Sequence, residues 1–394
     1  MGYSNRKGVG ITPPLPEQLK RARLARGFTM TELAELVGVS KQAISNYEKG
    51  ENIPSAEVFA KIKQVLGFPT QFFTYPMKSK QPDTVTFFRS LKSATQSDRW
   101  KQSVRVDFIH WIFDFLSQYI DFPPVNLPKI DERLLHDPSD EDIEDIATIV
   151  RRHWKLGDGP ISNVVLLLEK NGIIVANTPF YNEKLDGFSE LRERPFVFLS
   201  DDKSSAVRAR FNAVHELGHL ILHSWMDVNE FNEKSLDKIE KQAHLFARAF
   251  LLPRETFANE VVSTSLEHFI ELKRRWKVSI QAMIFRCADL GLLSEHQILY
   301  LRRQIAAKKM RKKEPLDDLL VREEPTIIKR AVELLVENNI FTPEQLLYKF
   351  GLYAEDIEEL LGIKKEFFAP VENDVDIRLK SRKPHLTLVK SDKK

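Results

Sequence analysis

The chain has 394 residues, 42% hydrophobic and 29% charged, with 15 Gly, 20 Pro and a mean hydropathy of −0.32. At about 100–200 residues per domain this length predicts two to four domains, and the composition excludes collagen-like, low-complexity and wholly disordered classes. The net charge is only +3, and no run approaches the roughly 18 apolar residues of a membrane span.

The opening residues, MGYSNRKGVGITPPLPEQ, lack the apolar run of a secretory signal, and Arg6 stands where a myristoylation site has Ser or Thr. The single cysteine, Cys287, has no internal disulfide partner and excludes Cys-cluster zinc sites. Together these features predict a cytoplasmic protein with no membrane partner.

Residues 1–15 read as a polar leader. Residues 1–70 carry ten Lys/Arg against six Glu, a basic bias that fits nucleic acid and fits ordinary solvated surface equally. Leu19–Leu24 opens a first helix that stops at Gly27. Thr29 or Thr31 caps a second, Val37-Gly38-Val39 makes a turn, and Ser40 caps a third that ends at Gly50. Pro54-Ser55 starts a fourth helix, ending near Gly67. Residues 73–138 read as a helical connector with dense apolar positions from Trp100 to Phe115. An amphipathic helix around Ile143–Val150 and a short one over Val164–Glu169 follow. Ile173–Ala176 and Phe196–Leu199 are the strands. Two long helices span about 204–224 and 234–252. Residues 256–370 look helical, and 371–394 form a charged tail with the composition of a poorly ordered segment. The expected fold class is mostly α with a small sheet (α+β).

Thr29–Gly50 has the features of a helix-turn-helix. Ala34 is small where two helices approach, Gly38 suits a positive-φ turn, Val39 and Ile44 are apolar plugs, and Ser40 is a cap. Its second helix would enter a major groove and present Lys41, Gln42, Ser45 and Asn46, all hydrogen-bonding types, to base edges or phosphates. Residues 15–70 resemble the XRE/phage-repressor class, with Arg23 and Glu48 where that class pairs an Arg with a Glu. The resemblance implies a double-stranded DNA operator and a homodimer for a domain over 1–72. A helical module used for dimerisation or protein contact is the competing reading.

Arg208–Trp225 contains His215-Glu216-Leu217-Gly218-His219. Two His four apart on a helix lie about 6 Å along the axis and about 40° around it, within reach of one ion. Neutral imidazoles suit Zn²⁺, and Glu216 is placed to take a proton from an attacking water. Phe211, Val214, Leu217, Leu220, Ile221 and Leu222 leave almost no polar face, so the helix is buried. Its His and Glu then need either a metal or hydrogen-bond partners. His223 lies about 12 Å along the axis from His215, with no Gly between it and His219 to break the helix, and reads as a core or supporting group rather than a ligand. Glu240, on the next helix beside small Ala243 and Ala247, is the candidate third ligand, leaving a fourth position for water. A solvated charge on an exposed face would show the same pattern.

Residues 139–253 resemble the ImmA/IrrE family of zinc metallopeptidases through RARFNAVHELGHLILH, the Glu240-x-x-Ala243-x-x-Phe246-Ala247 helix and Phe250-Leu251-Leu252-Pro253. The resemblance implies a metallopeptidase domain over 139–255 with a gluzincin-like arrangement. His215, His219 and Glu240 are then the zinc ligands and Glu216 the general base. It further implies an edge strand, near Phe196–Leu199, that receives an extended peptide. Family members cleave helix-turn-helix repressors. One departure stands out: the family commonly has Asn, and related gluzincins Asp, four residues after the ligand Glu, where this chain has His244. That imidazole either keeps the supporting bond to a ligand or replaces Glu240 as a ligand.

Leu272–Leu292 echoes the first module, with Val278-Ser279 as turn and cap, and resembles the helix-turn-helix-like region after the family's peptidase domain. It reads as a packing module or a further binding module. The basic run from Arg302 to Lys313 reads as a solvated helix face, with contact to a nucleic acid that signals damage or infection as the alternative. The combined expectation is a DNA-binding regulator with a zinc endopeptidase domain that cleaves a repressor- or antitoxin-like protein. The rival is a non-catalytic DNA-binding regulator whose peptidase-like domain senses a ligand or partner.

Overall fold

The computed structural model describes residues 12–77, 85–86, 95–178, 186–200, 205–226 and 233–369. The first eleven residues and the charged tail over 371–394 lie outside that set. Helices dominate, with one four-stranded sheet, the α+β class expected. No described helix is long and apolar enough to cross a membrane.

Five short helices open the chain: α1 (Pro16–Ala25), α2 (Met30–Val37), α3 (Lys41–Lys49), α4 (Ala56–Leu66) and α5 (Thr70–Thr74). Local signals set their ends. The Thr29 hydroxyl accepts from the Glu32 amide while the Glu32 carboxylate accepts from the Thr29 amide, a capping box that satisfies two end-of-helix donors. Ser40 caps α3 by accepting from Ala43 N at 3.1 Å. Between them Gly38 takes φ 79°, a left-handed turn that a β-carbon would strain.

The chain continues through β1 (Val85–Thr86), α6 (Gln96–Leu116), α7 (Glu132–Leu135), α8 (Asp140–His153) and α9 (Val164–Lys170) to β2 (Ile174–Thr178), β3 (Gly187–Leu191) and β4 (Pro195–Ser200). The spatial order is β1-β3-β4-β2. β4 runs parallel to β2 and antiparallel to β3, while among the described residues β1 pairs with β3 at Glu190 and Leu191. Phe196–Leu199 is therefore an inner strand, which corrects the expected edge. Its unbroken apolar run is what burial on both faces requires.

The sheet divides two apolar cores. Ile174, Ala176, Phe188, Phe196 and Phe198 point to one side, where α6 and the first helices pack, whereas Val175, Val197 and Leu199 point to the other. The described part of the 73–138 stretch contributes to the first of these cores. Its α6 buries Val104, Ile109, Ile112 and Leu116, each contributing on the order of 1.5–3 kcal/mol of apolar transfer. On the second side lie α10 (Ala206–Leu222), α11 (Glu233–Leu251), α12 (Arg254–Glu260), α13 (Leu266–Trp276), α14 (Ile280–Asp289) and α15 (Glu295–Ala307). The chain then returns to the first core with α16 (Ile327–Glu337), α17 (Pro343–Phe350) and α18 (Ala354–Leu361).

The helix-turn-helix-like echo is realised in α13 and α14, joined by a left-handed turn at Lys277 and capped by Ser279. Here α14 packs inward. Met283, Ile284 and Cys287 are buried, and the Arg286 guanidinium is fully buried on the Glu144 carboxylate of α8. The packing reading holds for that face. Desolvation pushes the Cys287 thiol up to about 12, which keeps it protonated and unreactive.

Candidate metal centre and DNA-facing helix

Helix α10 carries the H-E-x-x-H residues through the second core, and His215, Glu216, His219 and His223 are each 9% exposed or less. Its partner α11 can approach because Gly218 has no side chain. A β-carbon there would lie 3.1 Å from Phe246 Cδ1 and 3.3 Å from Ala243 Cα. That close packing brings Glu240 over the histidine pair.

The His215 and His219 Nε2 atoms are 3.1 Å apart. Glu240 Oε2 lies 3.4 Å from His215 Nε2, and Oε1 lies 3.6 Å from His219 Nε2. Zinc bonds of about 2.0–2.1 Å in a tetrahedral shell separate neighbouring donors by about 3.3 Å. The three observed separations straddle that value, so the residues fit a zinc ion. The structure thus brings together the three residues expected as ligands.

His223 lies at the end of α10 and supports the pair. Gln242 Oε1 can only accept, so His223 Nε2 donates to it at 3.1 Å, and Gln242 Nε2 in turn donates to Pro138 O at 3.3 Å. A neutral His223 then accepts at Nδ1 from His219 Nδ1, 3.1 Å away. That leaves the lone pair of His219 on Nε2, facing Glu240 and His215. Burial drives His223 down to about 4 and His219 well below the ordinary imidazole value, so both rings are neutral near pH 7. Gln242 was not among the expected site residues.

Glu216 lies against β3, with His215 and Glu240 close enough to act on its charge. Gly187 lies against its side chain, where a β-carbon would sit 3.3 Å from Glu216 Cγ and Oε1, and Ser189 Oγ donates to Glu216 Oε2 at 2.9 Å. Burial pushes the Glu216 carboxyl up to about 7, the range in which a carboxylate both takes and returns protons near neutrality. Ser189 and Gly187 also escaped sequence reading, because GFSEL lacks the β-branched pattern of a strand.

His244, one turn beyond Glu240, is exposed, with its ring 4.4 Å from that of His215 and stacked on Phe211 at 5.8 Å. The buried His215 Nδ1 has no hydrogen-bond partner among the described residues.

In the N-terminal helices, Arg23 grips Glu48 through two hydrogen bonds of 2.6 and 2.8 Å, with both side chains almost fully buried. The pair ties α1 to the end of α3, as the resemblance implied. Ile44 plugs the core. Lys41 and Gln42 are exposed at the N-terminal turn of α3, and Ser45 and Asn46 follow half-buried on the next, with the Gln42 and Asn46 amides 2.7 Å apart.

Residues 19–73 match the family described as Helix-turn-helix, and residues 168–288 match the IrrE N-terminal-like domain, a peptidase family. An SPbeta prophage-derived uncharacterized HTH-type transcriptional regulator of Bacillus subtilis, YonR, is 30% identical over 56 residues, 14% of this chain and 52% of its own length. The HTH-type transcriptional regulator SutR of Escherichia coli is 35% identical over 68 residues, covering 17% and 38%. The chain spans between 17% and 52% of the length of the curated relatives it matches.

Proposed function

From a chain that joins an XRE-type helix-turn-helix domain to an IrrE-type peptidase-like domain, we propose a DNA-anchored zinc endopeptidase. It cleaves a repressor- or antitoxin-like protein and so derepresses the genes that protein controls. The observation that carries this reading is the convergence of His215, His219 and Glu240 donor atoms at 3.1–3.6 Å, with the near-neutral Glu216 carboxyl beside them. His215, His219 and Glu240 hold the ion, which when bound supplies Lewis acidity toward the scissile carbonyl. His223 and Gln242 fix the ring of His219. Glu216, oriented by Ser189, takes a proton from the attacking water and returns it to the leaving amine.

The substrate backbone passes Gly187 and Ser189 of β3, which lie beside Glu216. Helix α3 reads an operator through Lys41, Gln42, Ser45 and Asn46, and two copies of the domain address a two-fold site. Holding the peptidase on DNA raises its effective concentration beside a DNA-bound repressor.

The test uses the zinc-loaded full chain and the repressor-like proteins encoded beside its gene. Wild type is expected to cleave one of them at a single site, and Glu216→Gln to lose cleavage while keeping zinc and operator binding. Derepression by Glu216→Gln equal to wild type would favour the non-catalytic sensing regulator instead.

A further inference from the structure

The position that departs from the family pattern lies beside two of the candidate ligands. The ligand atoms of His215, Glu240 and His244 all lie within 4.8 Å of one another. His244 follows Glu240 by one helical turn on α11, so both side chains leave the same face of that helix. Its ring is held beside His215 by the Phe211 stack, and its exposed side chain can turn without unpacking a core.

We propose that His244 is a displaceable fourth ligand, completing a His215, His219, Glu240, His244 set that closes the centre while the neighbouring groove is empty. This rests on the zinc reading of the site. Zinc favours four-coordinate tetrahedral shells. A closed set of four protein donors is the mark of a structural or silent site, while an open position is the mark of a catalytic one. A fourth ligand that binds and leaves would give this chain both states. His244 also lines a groove of about 880 Å³ with Arg208, Phe211, Lys241, Phe285 and Arg311. A polypeptide lying in that groove meets the outer face of His244 and swings it off the ion, opening the fourth position where Glu216 works. Occupancy of the groove and access to the centre are thereby coupled through one side chain.

The direct test counts imidazoles on zinc by X-ray absorption of the full-length, zinc-loaded protein without substrate. Three are expected in wild type and two in His244→Asn, with zinc affinity in a chelator competition lower by about tenfold or more in the variant. The wild-type count decides alone should the variant fail to fold. Two imidazoles in wild type at one zinc per chain would overturn the fourth-ligand inference and leave the peptidase reading standing. A wild-type chain that takes up no zinc would overturn both.

Discussion

Glu216 illustrates how much one buried carboxyl depends on its immediate neighbours. Desolvation raises it to about 7, and the Ser189 hydroxyl supplies a bond to one oxygen. A hydrogen bond to a charged group contributes on the order of 1.5–3 kcal/mol. Ser189→Ala is therefore expected to lower kcat for the cleaved repressor by about tenfold or more while zinc content stays at wild type. A variant with unchanged kcat would show that Glu216 keeps its orientation without Ser189. His215, Glu216 and His219 were legible because their spacing on a helix is a covalent fact. Ser189 and Gln242 were not, since each becomes a partner only when a distant segment folds against α10. His244 lay between these cases: the sequence marked it as a departure, and only the structure shows its ring beside that of His215.

Between elements, the decisive contact is α10 on α11 at Gly218. The missing side chain sets the distance that lets Glu240 reach the histidines. Gly218→Val would press on Ala243 and Phe246. Overpacking of this kind costs about 1–3 kcal/mol, so urea unfolding should show that loss together with weaker zinc binding. Full stability with unaltered zinc affinity would place the determinant of the helix spacing elsewhere. Legibility at this scale followed the range of the stabilising interaction. The boundaries of α2, α3 and α4 are written in caps and glycines a few residues apart, and they were readable. β3 draws its stability from pairing with β4 and from the buried His110–Glu190 contact at 2.9 Å, none of which is local. The assignment of Phe196–Leu199 to an edge failed for the same reason, because strand order is set by pairing.

At the scale of the molecule, the sheet joins two functions. The helix-turn-helix packs into the core on one face through α6, and the candidate metal centre lies on the other. Gln42→Ala should weaken operator binding by about 1–3 kcal/mol if it reads a base, and Lys41→Ala should reduce the salt dependence of binding if it contacts phosphate. Neither should change zinc content. Fluorescence anisotropy on the operator at several salt concentrations, beside metal analysis, checks both statements, and equal affinity in both variants would remove α3 from the interface. The most direct test of the whole account is the metal content of the purified full-length chain compared with Glu240→Ala. About one zinc per chain is expected in wild type, falling far below that in the variant with its helical content intact. Equal zinc in the two proteins, or none in wild type, would contradict the account.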